Sequence, residues 1–161
     1  MFTVGERVMY GPSGACRVTD IRRETFGEVE REYFVLEPLA GGSSIFVPTD
    51  SEQLTARMRT LLTPDEARQL LRDLPGLESP WIEDNRERSA RFQKTLNEGN
   101  ARDLLALARA VCLRRQTLRA AGKKNLTADE NAFKRAERIL VEELSLVLEQ
   151  PKDEVLALLQ V

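Results

Sequence analysis

Histidine is absent from the 161 residues, and cysteine occurs only at Cys16 and Cys112. Without histidine the chain lacks the most common general base near neutral pH, the Ser-His-Asp and Cys-His pairs and a frequent zinc ligand, so an enzyme is not expected. Two cysteines so far apart in sequence suggest neither a disulfide staple nor a metal knuckle, and they are expected to be small core thiols. No apolar run approaches the roughly 18 to 20 residues of a membrane span. The longest, Leu104 to Val111, is interrupted by Arg109. The opening Met1-Phe2-Thr3-Val4-Gly5 has neither the basic start nor the apolar stretch of a secretory signal. The expectation is a cytoplasmic protein with no membrane partner.

What is present is an ordinary globular composition, 42% hydrophobic and 31% charged, with an uneven distribution of charge. The net charge of −2 hides it. Residues 1–60 carry 7 basic and 9 acidic side chains, residues 61–85 carry 2 and 6, and residues 125–161 carry 4 and 8. Between them, residues 86–124 hold 11 basic side chains: Arg86, Arg88, Arg91, Lys94, Arg102, Arg109, Arg114, Arg115, Arg119, Lys123 and Lys124. Only Glu87, Glu98 and Asp103 oppose them, leaving a local +8. A basic body inside an acidic protein suits a limited contact with a polyanion. Cations that merely solvate two exposed helix faces would look the same.

The hydrophobic period changes near residue 60. Before it, Arg7 to Tyr10, Ala15 to Ile21, Glu32 to Leu36 and Ser44 to Val47 read as four short strands. Gly11-Pro12-Ser13-Gly14, Phe26-Gly27-Glu28 and Gly41-Gly42-Ser43 supply the turns of antiparallel hairpins. A small meander or barrel is expected, with Met58 and Leu61-Leu62 able to supply a fifth, closing strand. After it the period is helical. Thr63-Pro64-Asp65-Glu66 is a capping box ahead of Ala67 to Leu74, and Ser79-Pro80 predicts a second helix from Trp81 to about Leu96. Asn100 predicts the cap of a third helix that ends near Gly122, with Arg102 and Arg109 opposite its apolar arc. Thr127-Ala128-Asp129-Glu130 reads as another capping box, and Pro151 opens a short final helix. The fold class is therefore α+β: a β-rich unit over 1–60, then an all-α unit of about five helices over 61–161.

Candidate chemistry follows from placement. Ser44, Ile45, Phe46, Val47 and Pro48 form a short uncharged strand suited to an open sheet edge, where another protein's strand could pair, or to plain hairpin core. Arg22 and Arg23 could select a charged partner or simply be solvated. Trp81 sits beside the start of the basic segment. It is either a core residue or an apolar wedge able to unstack a base step, with Arg86, Arg88, Arg91 and Lys94 holding flanking phosphates. Glu142-Glu143 and Asp129-Glu130 are paired carboxylates without a nucleophile or a glycine-rich loop, and are assigned to caps and salt bridges.

The run Val4-Gly5-Glu6-Arg7-Val8-Met9-Tyr10-Gly11-Pro12-Ser13-Gly14-Ala15 resembles the opening of the CarD family of bacterial transcription regulators. Glu32 to Leu36, Ile45 to Pro48, Asn97-Glu98-Gly99-Asn100 and Leu126 to Glu130 follow in the family's order. The resemblance implies a small Tudor-like β-barrel that binds the RNA polymerase β subunit through Arg22, Arg23 and Ser44 to Pro48. It also implies a helical domain that contacts promoter DNA without sequence specificity. There the contacts would be Trp81, Arg86, Arg88, Arg91, Lys94, Arg102, Arg109, Lys123 and Lys124, stabilising the open complex. No cofactor, metal or small-molecule substrate is implied, and the expected place is the nucleoid. A polymerase-binding adaptor that recruits another factor without touching DNA is the alternative.

Overall fold

The computed structural model describes Met1–Leu159. Five strands, β1 (Arg7–Tyr10), β2 (Gly14–Phe26), β3 (Val29–Pro38), β4 (Ile45–Pro48) and β5 (Met58–Thr60), form one antiparallel sheet in the order β4-β3-β2-β1-β5. The fifth strand exists, but it extends the sheet instead of closing it. β5 pairs with β1, β4 lies at the opposite edge, and no ladder joins the two among the described residues. Leu54 falls in a short helix, α1 (Glu52–Thr55), which packs against β4 and adds that side chain to the sheet's core.

A break in register between Val18 and Asp20 explains an irregularity in the β2 sequence. Cys16 and Val18 face the sheet's core, and after the extra residue Ile21 does so as well, so the parity of inward positions changes at the bulge. That core consists of Val8, Tyr10, Cys16, Val18, Phe34, Leu36, Val47 and Met58. The other side of the sheet is also covered near its β1 end. Met9 is paired with Ala15 on one side and Arg59 on the other, and both Met9 and Ala15 pack into the core of the helices.

The second half contains the five expected helices: α2 (Pro64–Asp73), α3 (Asn85–Glu98), α4 (Ala101–Ala120), α5 (Thr127–Leu148) and α6 (Lys152–Leu158). The Thr63–Glu66 capping box closes in both directions, and Asn100 caps α4 through the Asp103 N–H. Two starts differ from expectation. α3 begins at Asn85 because Asp84, not Ser79, accepts a first-turn N–H, from Glu87. The Ile82 and Glu83 carbonyls, which a longer helix would use internally, receive Arg88 Nη1 instead. α5 has Leu126 at its cap position with no side-chain cap, and the Glu130 carboxylate is taken by Arg115 and Asn125.

Glu142 and Glu143 do not face solvent; both are buried and join α5 to the sheet. The Ala15 N–H donates to Glu142 Oε1 at 2.5 Å. Arg59 gives Nη1 and Nη2 to the two oxygens of Glu143 at 2.7 and 2.6 Å, and the Leu62 N–H adds a third bond at 2.9 Å. Gly14, at φ 79°, lets the chain pass the Glu142 carboxylate, where a Cβ would collide with Oε1. Nearby, a Cβ on Gly11 would stand 2.6 Å from the Asn97 carbonyl oxygen, so the β1–β2 turn touches the end of α3 backbone to backbone.

Candidate functional site

Two surfaces carry the residues singled out from sequence. The first is the free side of β4 and the sheet face beside it. Among the described residues β4 pairs only with β3, in the register Tyr33↔Pro48, Phe34↔Val47, Val35↔Phe46 and Leu36↔Ile45. Its backbone groups on the far side therefore point away from the sheet. Val47 and Pro48 are buried, Ile45 and Phe46 half-buried, and Ser44 exposed. Alternation sends Val47 into the sheet core and Phe46 to the opposite face.

On that opposite face Phe46 meets Phe26 and Tyr33 edge to face, at centroid separations of 5.4 and 6.0 Å, with Phe26–Tyr33 at 5.2 Å. The Arg22 guanidinium lies over Phe46 at 5.6 Å and is held by Glu24 and Asp20. Phe26 and Val29 are paired at the tip of the β2–β3 hairpin and are 51% and 57% exposed. This aromatic patch was missed in the sequence, where Phe26 read as part of a turn; its neighbour Phe46 is brought to it only by register. Arg23 turns to Glu30 instead.

The second surface is cationic. The structure sorts the candidate residues by what already holds them. Arg88 is 3% exposed and forms a two-pronged ion pair with Asp129, so it is a structural tie and does not face a phosphate. Arg102 pairs with Asp73 at 2.7 Å, Arg109 gives Nη2 to the Pro75 carbonyl, and Lys94 lies 3.9 Å from Glu98. Arg115 is bound by both oxygens of Glu130, and Arg114 lies 4.0 Å from Glu83. Arg86, Arg91, Lys123 and Lys124 are exposed, and so is Arg119. α3 carries Arg86, Arg91 and Lys94 away from its buried stripe of Arg88, Phe92 and Leu96.

Trp81 lies in the loop before α3, outside any helix, half-buried against the helical core. Its ring meets Phe92 at 6.3 Å and carries two guanidinium groups, Arg88 at 4.5 Å and Arg114 at 5.4 Å. A groove of about 210 Å³ beside it is bordered by Arg114, Lys124 and Asn125. Stacked and packed in this way, the ring is a platform that positions Arg114 at the groove.

Against this geometry, a family model described as the CarD-like/TRCF RID domain matches residues 2–62. The amino-terminal part of the chain is thus similar to a CarD-like/TRCF RID domain. Such a domain points to interaction with RNA polymerase. The matched region takes in all five strands and ends at Leu62, whose N–H is bound by Glu143, while α2 to α6 lie beyond the match. No curated protein matches the chain. The matched region also contains Arg59, so the residue that fixes it to the helices lies within it.

Elsewhere the titrating groups are structural. Burial and the nearby Glu142 carboxylate push the Cys16 thiol up to about 11. Burial also raises Cys112 and Glu137, both of which border a small cleft between α4 and α5. Among the described residues no helix is long and apolar enough to cross a membrane.

Proposed function

We propose that the chain is a transcription regulator that docks on the RNA polymerase β subunit through its RID domain and steadies the open promoter complex. DNA would be touched by the helical half, without sequence specificity. The RID match over the sheet carries the reading, and the exposed Phe26–Phe46 patch beside the free β4 edge supports it as the docking face. Main-chain pairing along β4 would supply affinity, and the aromatic patch with Arg22 would supply selectivity. The DNA contacts best supported are Arg86, Arg91, Lys123 and Lys124, which no carboxylate holds, joined by Arg119 and by Arg114 on its tryptophan platform. Binding of this kind is weak alone and falls with salt, because phosphate contacts release counterions. A non-enzymatic protein of the bacterial cytoplasm, held at the nucleoid by polymerase, fits this reading.

The test uses the full chain, because Met9 and Ala15 belong to the helical core and cutting the chain near residue 60 would open it. Phe46→Glu is expected to abolish capture of the polymerase β lobe. Replacing Arg86, Arg91, Lys123 and Lys124 by glutamine is expected to leave capture intact and shorten the lifetime of open complexes. The neutralisation of Arg88, Arg102 and Arg115 by Asp129, Asp73 and Glu130 favours a second reading, an adaptor that never touches DNA. An unchanged lifetime in the fourfold variant would support the adaptor.

A further inference from the structure

A groove of about 660 Å³ runs between α1 of the strand half and α3 of the helical half. Ala56 and Arg57 line it from the strand half, and Ala90 and Lys94 line it from α3. Gln53, Gln93 and Asn97 add amide groups, and Glu98, exposed and 3.9 Å from Lys94, is the one acid in the lining. Gln93 Nε2 donates to Asn97 Oδ1 at 3.1 Å, and the two cations with the remaining amide N–H groups are donors that phosphodiester oxygens use, from side chains that carry no base specificity.

Among the described residues, Arg57 and the exposed Arg7 differ from the other arginines of the strand half. Arg22, Arg23, Arg31 and Arg59 are held in ion pairs, and Arg17 gives its guanidinium to the Gly5 carbonyl. Arg57, half-buried, has a fixed backbone, its carbonyl accepting the Gly11 N–H at 3.1 Å, yet no carboxylate holds its side chain. Keeping an arginine beside a groove without a counter-charge leaves the site short of an anion. Along α3 the same outward stripe continues from Lys94 through Ala90 to Arg86, about 12 Å of helix, the length of about three phosphates on one strand.

We propose that this groove is a track for a nucleic-acid phosphodiester backbone and that Arg57 is a contact supplied by the strand half. The inference rests on the DNA-contacting reading above and adds a site that the helical half alone cannot form. It places the duplex across the junction of the two halves, with Arg57 and Lys94 on one strand.

The test is a salt titration of the full chain on a short labelled duplex of arbitrary sequence. Arg57→Gln and Lys94→Gln are each expected to weaken binding about tenfold at low salt and to lower the salt slope by about 1, the loss of one phosphate contact. Gln53→Glu, a change on the exposed surface of α1, is expected to weaken it at least as much. If Arg57→Gln lowers the melting temperature, Gln53→Glu decides alone. Wild-type affinity in these variants, together with loss of binding when Arg91, Lys123 and Lys124 become glutamine, would overturn the groove and leave the DNA reading standing. A wild-type protein that does not bind the duplex at low salt would overturn both.

Discussion

Glu143 of α5 and Arg59 of β5 meet as a two-pronged ion pair at 2.6 and 2.7 Å, across the junction of sheet and helices. The carboxylate is 1% exposed and the guanidinium 22% exposed, so the acid depends fully on this partner and on the Leu62 N–H. Removing one member of a buried pair leaves the other without compensation. Arg59→Met is expected to cost about 3 kcal/mol in urea unfolding. The double variant Arg59→Met/Glu143→Leu should recover most of that loss, since two apolar groups can fill the same space.

Trp81 is expected to behave as a packed residue. Trp81→Ala removes the ring from Phe92, Arg88 and Arg114, and a loss of about 2 kcal/mol is expected for a half-buried aromatic. Trp81→Phe should recover part of it. Asp129→Asn, which loosens Arg88 beneath the ring, is expected to shift the tryptophan fluorescence to longer wavelength. A ring serving only as a DNA wedge would leave thermal stability unchanged in Trp81→Ala and Trp81→Phe.

Glu130 contributes to the acid limb of stability. Hydrogen bonds from Arg115 and Asn125 outweigh burial and hold the Glu130 carboxyl below its ordinary value of 4.5. The unfolded chain therefore binds this proton first, and the contribution of Glu130 is present above pH 4.5 and fades as pH falls through the folded value. Glu137 acts in the opposite sense, because burial raises its pKa and favours the protonated folded form. The melting temperature of the wild type should fall from pH 4.5 downward, and Arg115→Gln should flatten that fall.

Thiol chemistry separates the two cysteines. Cys16 is buried in the sheet with its thiol raised to about 11, so almost none is thiolate at pH 8. Cys112 is half-buried on α4. Alkylation of the native protein at pH 8 should label Cys112 slowly and spare Cys16 until the protein unfolds, as read by peptide mass.

Signals confined to a few neighbouring residues were legible in the sequence. Thr63 to Glu66, Asn100 and the glycine-rich turns name the starts of helices and the order of hairpins, because a cap or a turn depends on chemistry within four positions. The sheet's open edge is less legible, since whether β5 closes on β4 depends on register and not on either strand's composition. The buried roles of Arg88, Glu142 and Glu143 were not legible at all. Their partners Asp129, Ala15 and Arg59 lie 41, 127 and 84 positions away, and a carboxylate bound by a distant arginine looks in sequence like one in water. For the same reason the +8 of residues 86–124 overstates the cations available to a partner.

Met9 and Ala15 belong to the sheet through their hydrogen-bonded neighbours and to the helical core through their side chains. A chain built this way has no hinge between its halves: bending it would mean pulling two core residues out of their sockets. The molecule is a caliper of set opening. Whatever grips the β4 edge and whatever lies along α3 are kept a constant distance apart, and lengthening or shortening α5 by one turn would change that gauge.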